Sequence, residues 1–151
     1  MKSIRLDRSL KYILPLKTHD LVRIGNKNDS GYVVSRKILK EVNFMISFGM
    51  SNNWSFEENF LRINSNNKVQ IYDHTVDYNY FFFGLLKAIK RIFYFKSSFQ
   101  NILKKLNELI GYHKIINNKR IHHFRIKVSN KNSIGEKNLK QILEKVRNKK
   151  I

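Results

Sequence analysis

Three segments of the chain have the hydrophobic pattern of β-strands. Residues 43–48 form an apolar run that ends at Gly49, residues 68–73 alternate apolar and polar side chains, and residues 124–128 alternate strictly. Short runs of this kind are typical of strands. Because helical patterns separate them along the chain, we expect the three strands to lie parallel in one sheet.

Helical periodicity fills the intervals between these strands. Ser55 and Glu58 have the S-x-x-E spacing of a capping box, which predicts a helix N-terminus at Ser55, and a last helix is expected from about Gly135 to Asn148. Between the second and third strands, apolar residues recur three and four positions apart, which predicts a helical hairpin with two stripes facing the core. The stripes are Phe82, Leu85, Leu86, Ile89, Ile92 and Phe93, then Phe99, Ile102, Leu103, Leu106 and Ile110, the second ending at Gly111.

The region before the first strand predicts a β-hairpin or a strand-loop-strand. Residues 21–25 and 31–34 are strand-like and flank an interval of turn-forming residues. No long linker divides the chain, so we expect a single domain over residues 1–151. Within it, residues 1–40 would form a hairpin and helix extension, and residues 78–118 a basic helical insert.

Composition and charge narrow the possible functions. The chain has 151 residues, of which 42% are hydrophobic, so it can bury a core. The absence of Cys excludes disulfides, thiolate zinc sites and a cysteine nucleophile. The formal net charge is +19, and the excess is uneven: residues 1–77 carry 12 basic and 8 acidic side chains, whereas residues 78–151 carry 18 and 3. The second half of the chain therefore holds most of the positive charge.

The positive charge of the second half is consistent with two binding functions, and codon composition could also account for it without any function. A basic region with interspersed aromatic residues such as Tyr78, Tyr80 and Tyr94 suits nucleic acid, and a basic amphipathic helix over residues 81–96 suits an anionic membrane surface. The abundance of Lys, Ile and Asn, which make up 57 of 151 residues, is also what AT-rich codons produce. The apolar stretch at residues 80–86 is too short to span a bilayer, and no secretory signal opens the chain, so we expect a cytoplasmic protein.

Two residues point to a ligand site at one edge of the sheet. Gly49 follows the first strand and precedes a helix, and Asp73 ends the second strand 24 residues later. In nucleotide-binding α/β folds, a Gly after the first strand lets the backbone approach the ligand, and an acid after the second strand accepts the ribose hydroxyls. The same arrangement is also common in proteins without such a ligand.

Five linked motifs make the pattern more specific. They are Leu-Val-Arg-Ile-Gly at residues 21–25, Asn-Asp-Ser-Gly-Tyr-Val-Val at 28–34, Met-Ile-Ser-Phe-Gly at 45–49, Ser-Phe-Glu at 55–57 and Ile-Tyr-Asp-His-Thr-Val at 71–76. In order and spacing they resemble the N-terminal half of FkbM-type S-adenosylmethionine-dependent methyltransferases. The branch in question has the pattern R-I-G-x-x-x-D-G-G-Y-V-V, I-S-F-G-x-G-x-x-x-S-F-E and F-D-x-T-V.

The resemblance implies a Rossmann-like class I methyltransferase fold with S-adenosylmethionine as cofactor. The fold would be truncated after about three parallel strands and would carry the helical insert between strands two and three. The methyl acceptor would be a hydroxyl group of a sugar or another small molecule. By position, the cofactor-binding residues would be Phe48, Gly49, Met50, Ser51, Asp73 and His74, with Asp73 on the ribose. Asp29 belongs to the D-G-G-Y motif, where it would either help close the site or form an Asx turn in the hairpin.

The chain departs from this family pattern in three places. The second Gly of the first loop is missing, since residues 50–53 supply no further Gly, and the D-G-G-Y motif reads Asp-Ser-Gly-Tyr at residues 29–32. The strand reading roughly L-L-K-I-D-I-E-G-x-E is missing after the last helix. That strand would pair with residues 43–48, so its absence predicts an open apolar sheet edge. We therefore expect this chain alone to be inactive as a methyltransferase. The edge would pair with the missing C-terminal half or with a second copy.

The remaining polar residues have structural explanations. Glu58 fits the capping box, and Glu57 suits the positive end of a helix dipole, with a catalytic role as the alternative. His122 and His123 have no further acid or histidine at metal-ligand spacing, so we expect no metal site. Trp54 is expected to anchor packing.

Overall fold

The computed structural model describes residues 19–27, 31–94, 96, 98–130 and 133–148. These residues form a mixed α/β structure. In chain order its elements are β1 (Leu21–Ile24), β2 (Tyr32–Ser35), α1 (Arg36–Glu41), β3 (Phe44–Phe48), α2 (Ser55–Ile63), β4 (Lys68–Tyr72), α3 (Tyr78–Phe93), α4 (Phe99–Ile116), β5 (Ile121–Phe124), β6 (Lys127–Val128), β7 (Glu136–Lys137) and α5 (Leu139–Asn148).

A three-stranded parallel sheet forms the centre of the fold. Its order is β3-β4-β5, with β4 in the middle. Val69 and Ile71 on β4 are fully buried because the strand has a neighbour on each side and helices cover the sheet. The parallel sheet that the sequence predicts is confirmed, and β3 and β4 lie where they were expected.

The third strand lies three residues earlier than the alternation at residues 124–128 predicts. β5 ends at Phe124 because a tight turn follows, in which the Ile126 amide donates to the Phe124 carbonyl (N···O 2.8 Å). Beyond this turn, β6 leaves the central sheet and pairs with β7 in parallel. Because Glu136 and Lys137 are used in that pairing, the last helix begins at Leu139 instead of Gly135.

The N-terminal hairpin is also confirmed. β1 and β2 pair antiparallel, and Ser35 caps α1 by accepting a hydrogen bond from the Ile38 amide. The hairpin is fastened to α2, since the Gly25 amide donates to Oδ1 of Asn59 (3.0 Å). Asp29 and residues 1–18 lie outside the described residues.

The insert between β4 and β5 is a helical hairpin, as predicted. α3 and α4 pack along each other, and Phe81, Ala88, Tyr112 and Ile115 form their buried side. The predicted core stripes, however, are wrong in their placement. Eight of their residues are 37–79% exposed, because the side that faces the sheet is formed by other positions of the same helices. The exposed residues are Phe82, Leu86, Ile89 and Phe93 on α3 and Phe99, Leu103, Leu106 and Ile110 on α4.

Gly111 does not end α4, which continues to Ile116. A Cβ atom added at Gly111 would lie 2.5 Å from Cζ2 of Trp54, well inside van der Waals contact. Glycine is therefore required here because the indole ring packs directly against the helix backbone. Trp54 is the packing anchor that the sequence suggests.

Replacing Gly111 with alanine is expected to lower the free energy of unfolding by about 1–3 kcal/mol, because the indole must move. Gly84 is the matched control: it also lies within the insert, and its nearest neighbour to an added Cβ is Cδ of Lys105 at 3.9 Å. Alanine at Gly84 is expected to raise stability by about 0.5–1 kcal/mol through helix propensity alone. Urea denaturation measures both, and the same sign for the two variants would contradict this explanation.

The predicted capping box is absent from α2. The helix begins at Ser55 with Trp54 as its N-cap, and the Ser55 side chain makes no capping hydrogen bond. Asn53 replaces it, since its Oδ1 accepts from the Ser55 amide (3.2 Å). Glu58 turns away to pair with Arg62 on the helix surface (3.7 Å). Among the helices of the described ranges, none is long and apolar enough to cross a bilayer.

Candidate functional site

The loop between β3 and α2 has an unusual backbone at two positions. Gly49 has φ +73° and Ser51 has φ +49°, both in the left-handed region. Glycine adopts this region without steric cost, whereas a serine there is strained. The Gly49 amide donates to the carbonyl of Tyr72 at the end of β4 (3.1 Å). The loop is thus held against the end of the neighbouring strand.

Asp73 fastens this loop from the other side. Its Oδ2 accepts from the Ser51 amide (2.8 Å), and its Oδ1 accepts from the amide (2.8 Å) and the hydroxyl (2.5 Å) of Thr75. The side chain is 96% buried, being only 4% exposed. One carboxylate therefore joins the loop after β3 to the turn after β4.

The hydrogen bonds to Asp73 also set its ionisation. Burial alone raises the pKa of a carboxyl group, because the charged form loses its hydration. Here the hydrogen bonds from Ser51 and Thr75 outweigh burial and hold the pKa of Asp73 below its ordinary value. The bonds thus favour the charged form at neutral pH.

A second layer supports Asp73 from β5. The ring of His123 bonds through Nε2 to the Asp73 carbonyl (3.0 Å) and through Nδ1 to the Tyr112 hydroxyl (3.1 Å). This pair of contacts fits the tautomer that carries its hydrogen on Nε2, with the Tyr112 hydroxyl donating to Nδ1. Burial raises the pKa of Tyr112, which favours the protonated, donating hydroxyl. The sequence offered no signal for His123 because its role depends on strand pairing.

The structure brings most of the predicted site residues together. Gly49 and Ser51 meet Asp73 at the carboxyl ends of β3 and β4, and the exposed ring of Phe48 lies over Tyr72 (centroids 5.8 Å apart). His74 is exposed beside Asp73. Met50 differs, because the whole residue is only 2% exposed and belongs to the core instead of the surface of the site.

Glu57 is a further polar residue of this site, which the sequence attributed to the helix dipole. It is 96% buried, and its Oε1 accepts from the Ser47 hydroxyl on β3. Its Oε2 has no hydrogen-bond partner. The side chain lines a cavity of about 230 Å³, together with residues that include Ser47, Gly49, Asn53 and Phe56. An available signal was spacing, since Glu57 shares a helix face with the buried Phe60 and Leu61.

The cavity lies at the outer side of β3. Within the described ranges, β3 pairs with β4 alone, so its other edge carries backbone groups without a strand partner. The open edge that the sequence predicts is therefore present in the part of the chain that the structure describes. No group of three His, Asp or Glu side chains among those same residues could hold a metal ion.

Three comparisons of the chain with known proteins found no match. No protein-family model matches the chain, and neither a curated protein nor a solved structure is significantly similar to it. The site itself has three features: a left-handed glycine loop, a buried carboxylate that holds the loop, and a second buried carboxylate with one oxygen that has no hydrogen-bond partner.

Proposed function

We propose that the chain is an S-adenosylmethionine-binding domain of the methyltransferase type. The observation that carries the proposal is the hydrogen bond between the Ser51 amide and Asp73, which fixes a glycine loop against the carboxyl end of the neighbouring parallel strand. In open α/β sheets, ligands bind outside the carboxyl ends of the strands, next to such loops. The sequence motifs that resemble the methyltransferases include Gly49 and Asp73 of this junction.

The chemistry of the cavity suits one part of this cofactor. S-adenosylmethionine carries an ammonium group at its amino-acid end, and a buried ammonium needs an anionic or hydrogen-bonding partner. The buried Oε2 of Glu57, which has no hydrogen-bond partner, would supply such an acceptor, and the Ser47 hydroxyl keeps the carboxylate in place. Because an added Cβ at Gly49 would meet no atom within 4 Å, the backbone beside the cavity is open to a ligand.

Ser51 also supports the proposal. It occupies the position of the second glycine in the motif I-S-F-G-x-G, and its backbone is left-handed, as a glycine there could readily be. The loop conformation therefore does not depend on the missing glycine. When bound, the cofactor would supply an electrophilic methyl group. Glu57 would orient its amino-acid end, and Asp73 would keep the loop in position, with the ribose contact remaining a prediction.

The acceptor side of the reaction is proposed only as a class. The resemblance implies a hydroxyl group of a sugar or another small molecule, and it places a further strand beside β3. We therefore propose that methyl transfer requires a second polypeptide segment at this open edge, whereas cofactor binding does not.

Calorimetry with S-adenosylmethionine and S-adenosylhomocysteine tests the proposal. Both should bind the folded chain, since both carry the ammonium group. Glu57→Gln should weaken binding about tenfold or more, because hydrogen bonds to charged groups are worth about 1.5–3 kcal/mol. Glu58→Gln is the matched control, because this neighbouring acid is partly exposed and pairs with Arg62; it should bind like the unchanged chain.

Two outcomes would count against different parts of this proposal. Absence of binding by a chain whose circular dichroism shows it to be folded would contradict the cofactor assignment itself. Equal affinities of the two glutamine variants would leave the cofactor assignment in place but remove Glu57 from the site.

A further inference from the structure

The helical hairpin exposes two long apolar stripes to solvent. On α3, Phe82, Leu86, Ile89 and Phe93 follow one another at spacings of four, three and four. At about 100° per residue, these spacings place all four side chains within roughly 60° of arc. Phe99, Leu103, Leu106 and Ile110 repeat the same spacings on α4. Each of the eight side chains is at least 37% exposed, and Phe93 reaches 79%.

The two stripes lie on the same face of the hairpin. Phe82 and Ile110 line one groove of about 450 Å³, together with Leu109. The helices run antiparallel, as shown by the hydrogen bond between Tyr78 and His113 near one end and by the approach of Gly84 to Lys105 further along. Phe93 and Phe99 therefore continue the same face at the far end. Folded monomers rarely leave a contiguous apolar surface of this extent in water.

Positive charges border this face on both outer sides. Half-buried Leu85 and Ile92 lie on one flank of the α3 stripe, and Lys90 lies on the other flank, roughly 70° from the stripe centre at 100° per residue. On α4, Leu109 lies on the half-buried flank of the stripe, and Lys114 lies on the opposite flank, roughly 50° from the stripe centre. Because the helices are antiparallel, their half-buried flanks face each other and the two lysines lie on opposite outer borders.

The acidic side chains of the insert do not balance this charge. Residues 78–118 contain seven Lys and Arg residues against one acid, Glu108. Glu108 is paired with Lys105 (2.8 Å), and together they line a pocket with Phe83 and Arg91 instead of the groove between the stripes. The exposed apolar face therefore has a cationic border without an acidic partner of its own.

We propose that this face of α3 and α4 binds the surface of an anionic lipid bilayer. Apolar side chains would enter the boundary between headgroups and acyl chains, while the bordering lysines would contact anionic headgroups. The hairpin would lie in the membrane plane, which agrees with helices that are too short or too polar to cross it. Nucleic acid is less suited to this face, because phosphate contacts need charge at the centre of the interface, where this face is apolar.

Sedimentation with vesicles tests this inference. The chain should bind vesicles of phosphatidylcholine mixed with phosphatidylserine, and bind vesicles of phosphatidylcholine alone more weakly. Phe93→Asp should lower the partition coefficient about tenfold or more, because it places a charge where an apolar ring enters the bilayer. Ile134→Asp is the matched control, since it makes the same change in charge at a fully exposed site outside the hairpin, and it should change binding less than about twofold.

A second pair of variants tests the cationic border. Lys90→Ala should weaken binding to the anionic vesicles about fivefold, the effect of about 1 kcal/mol for each basic residue near an anionic surface. Lys40→Ala, on α1, should have little effect. All variants are exposed, so their urea midpoints should match that of the unchanged chain, which keeps a loss of binding separate from a loss of folding.

Several results would overturn the inference. These are the absence of binding to anionic vesicles, equal binding to both vesicle types, or equal losses in Phe93→Asp and Ile134→Asp. Salt-sensitive binding to RNA without vesicle binding would assign the positive charge to nucleic acid instead. Dimers that Phe93→Asp dissociates, in a chain that does not bind vesicles, would show that a second copy covers the face.

Discussion

Replacing Phe81 with alanine is expected to lower the free energy of unfolding by about 3–5 kcal/mol, as for other buried phenylalanines. The ring is 2% exposed and lies where the insert meets the rest of the domain. It contacts the Trp54 ring before α2 (centroids 6.1 Å apart) and the Tyr112 ring on α4 (4.7 Å). Its loss would leave a cavity at the junction of three elements.

Phe83→Ala provides the control for this prediction. Phe83 lies on the same helix two residues later but is 61% exposed, so its truncation should cost less than about 1 kcal/mol. Urea denaturation followed by circular dichroism measures both variants. Similar losses would mean that the insert is not fastened through Phe81. Because domains of this size are stable by only about 5–15 kcal/mol, the Phe81 variant should also unfold at a visibly lower temperature.

The central sheet could be predicted from the sequence because its signals are local. β3 and β4 are short apolar or alternating runs bounded by turn residues, and strands buried in a parallel sheet have this composition. The helices of the insert could be predicted for the same reason, since their apolar residues recur at helical spacing. A pattern within one segment was enough in each case.

The errors arose where a distant residue decides the local structure. Glycine often marks the end of a helix, but Gly111 lies within α4. It is a glycine because the ring of Trp54, which is distant in the sequence, packs on its backbone. The stripes at Phe82 and Phe99 have the periodicity of a core face, yet periodicity alone does not say which apolar side of a helix is covered. The buried side of the helical hairpin contains Phe81 and Tyr112 instead.

The residues of the candidate site also fall into those that local signals predict and those that depend on the folded structure. Gly49 and Asp73 could be predicted as neighbours because carboxyl ends of adjacent parallel strands meet at one edge. The hydrogen bond between Ser51 and Asp73 could not be predicted, because it depends on the backbone conformation of the loop. Glu57 was assigned to the helix dipole, since no sequence pattern shows that its Oε2 is buried without a hydrogen-bond partner.

Replacing Asp73 with alanine is expected to lower the free energy of unfolding by about 3 kcal/mol, because three hydrogen-bond donors would lose their charged acceptor. The Ser51 amide and the amide and hydroxyl of Thr75 would be affected together. Asp73→Asn should be milder, since its amide oxygen can still accept from Thr75 while its nitrogen faces the Ser51 donor. Glu58→Gln, at a partly exposed acid on the helix surface, should change stability by less than about 0.5 kcal/mol.

The pH dependence separates the charge of Asp73 from its shape. Its pKa in the folded protein is below the value of about 3.9 for an unfolded chain, so its ionised form stabilises the fold at all pH values above that. As the pH falls below about 3.9 and through the folded pKa, this contribution disappears. The difference in unfolding free energy between the unchanged chain and Asp73→Asn should therefore be constant near neutral pH and shrink in acid. A difference that stays constant down to the lowest pH at which both chains fold would show that the carboxylate stabilises the loop through packing, without its charge.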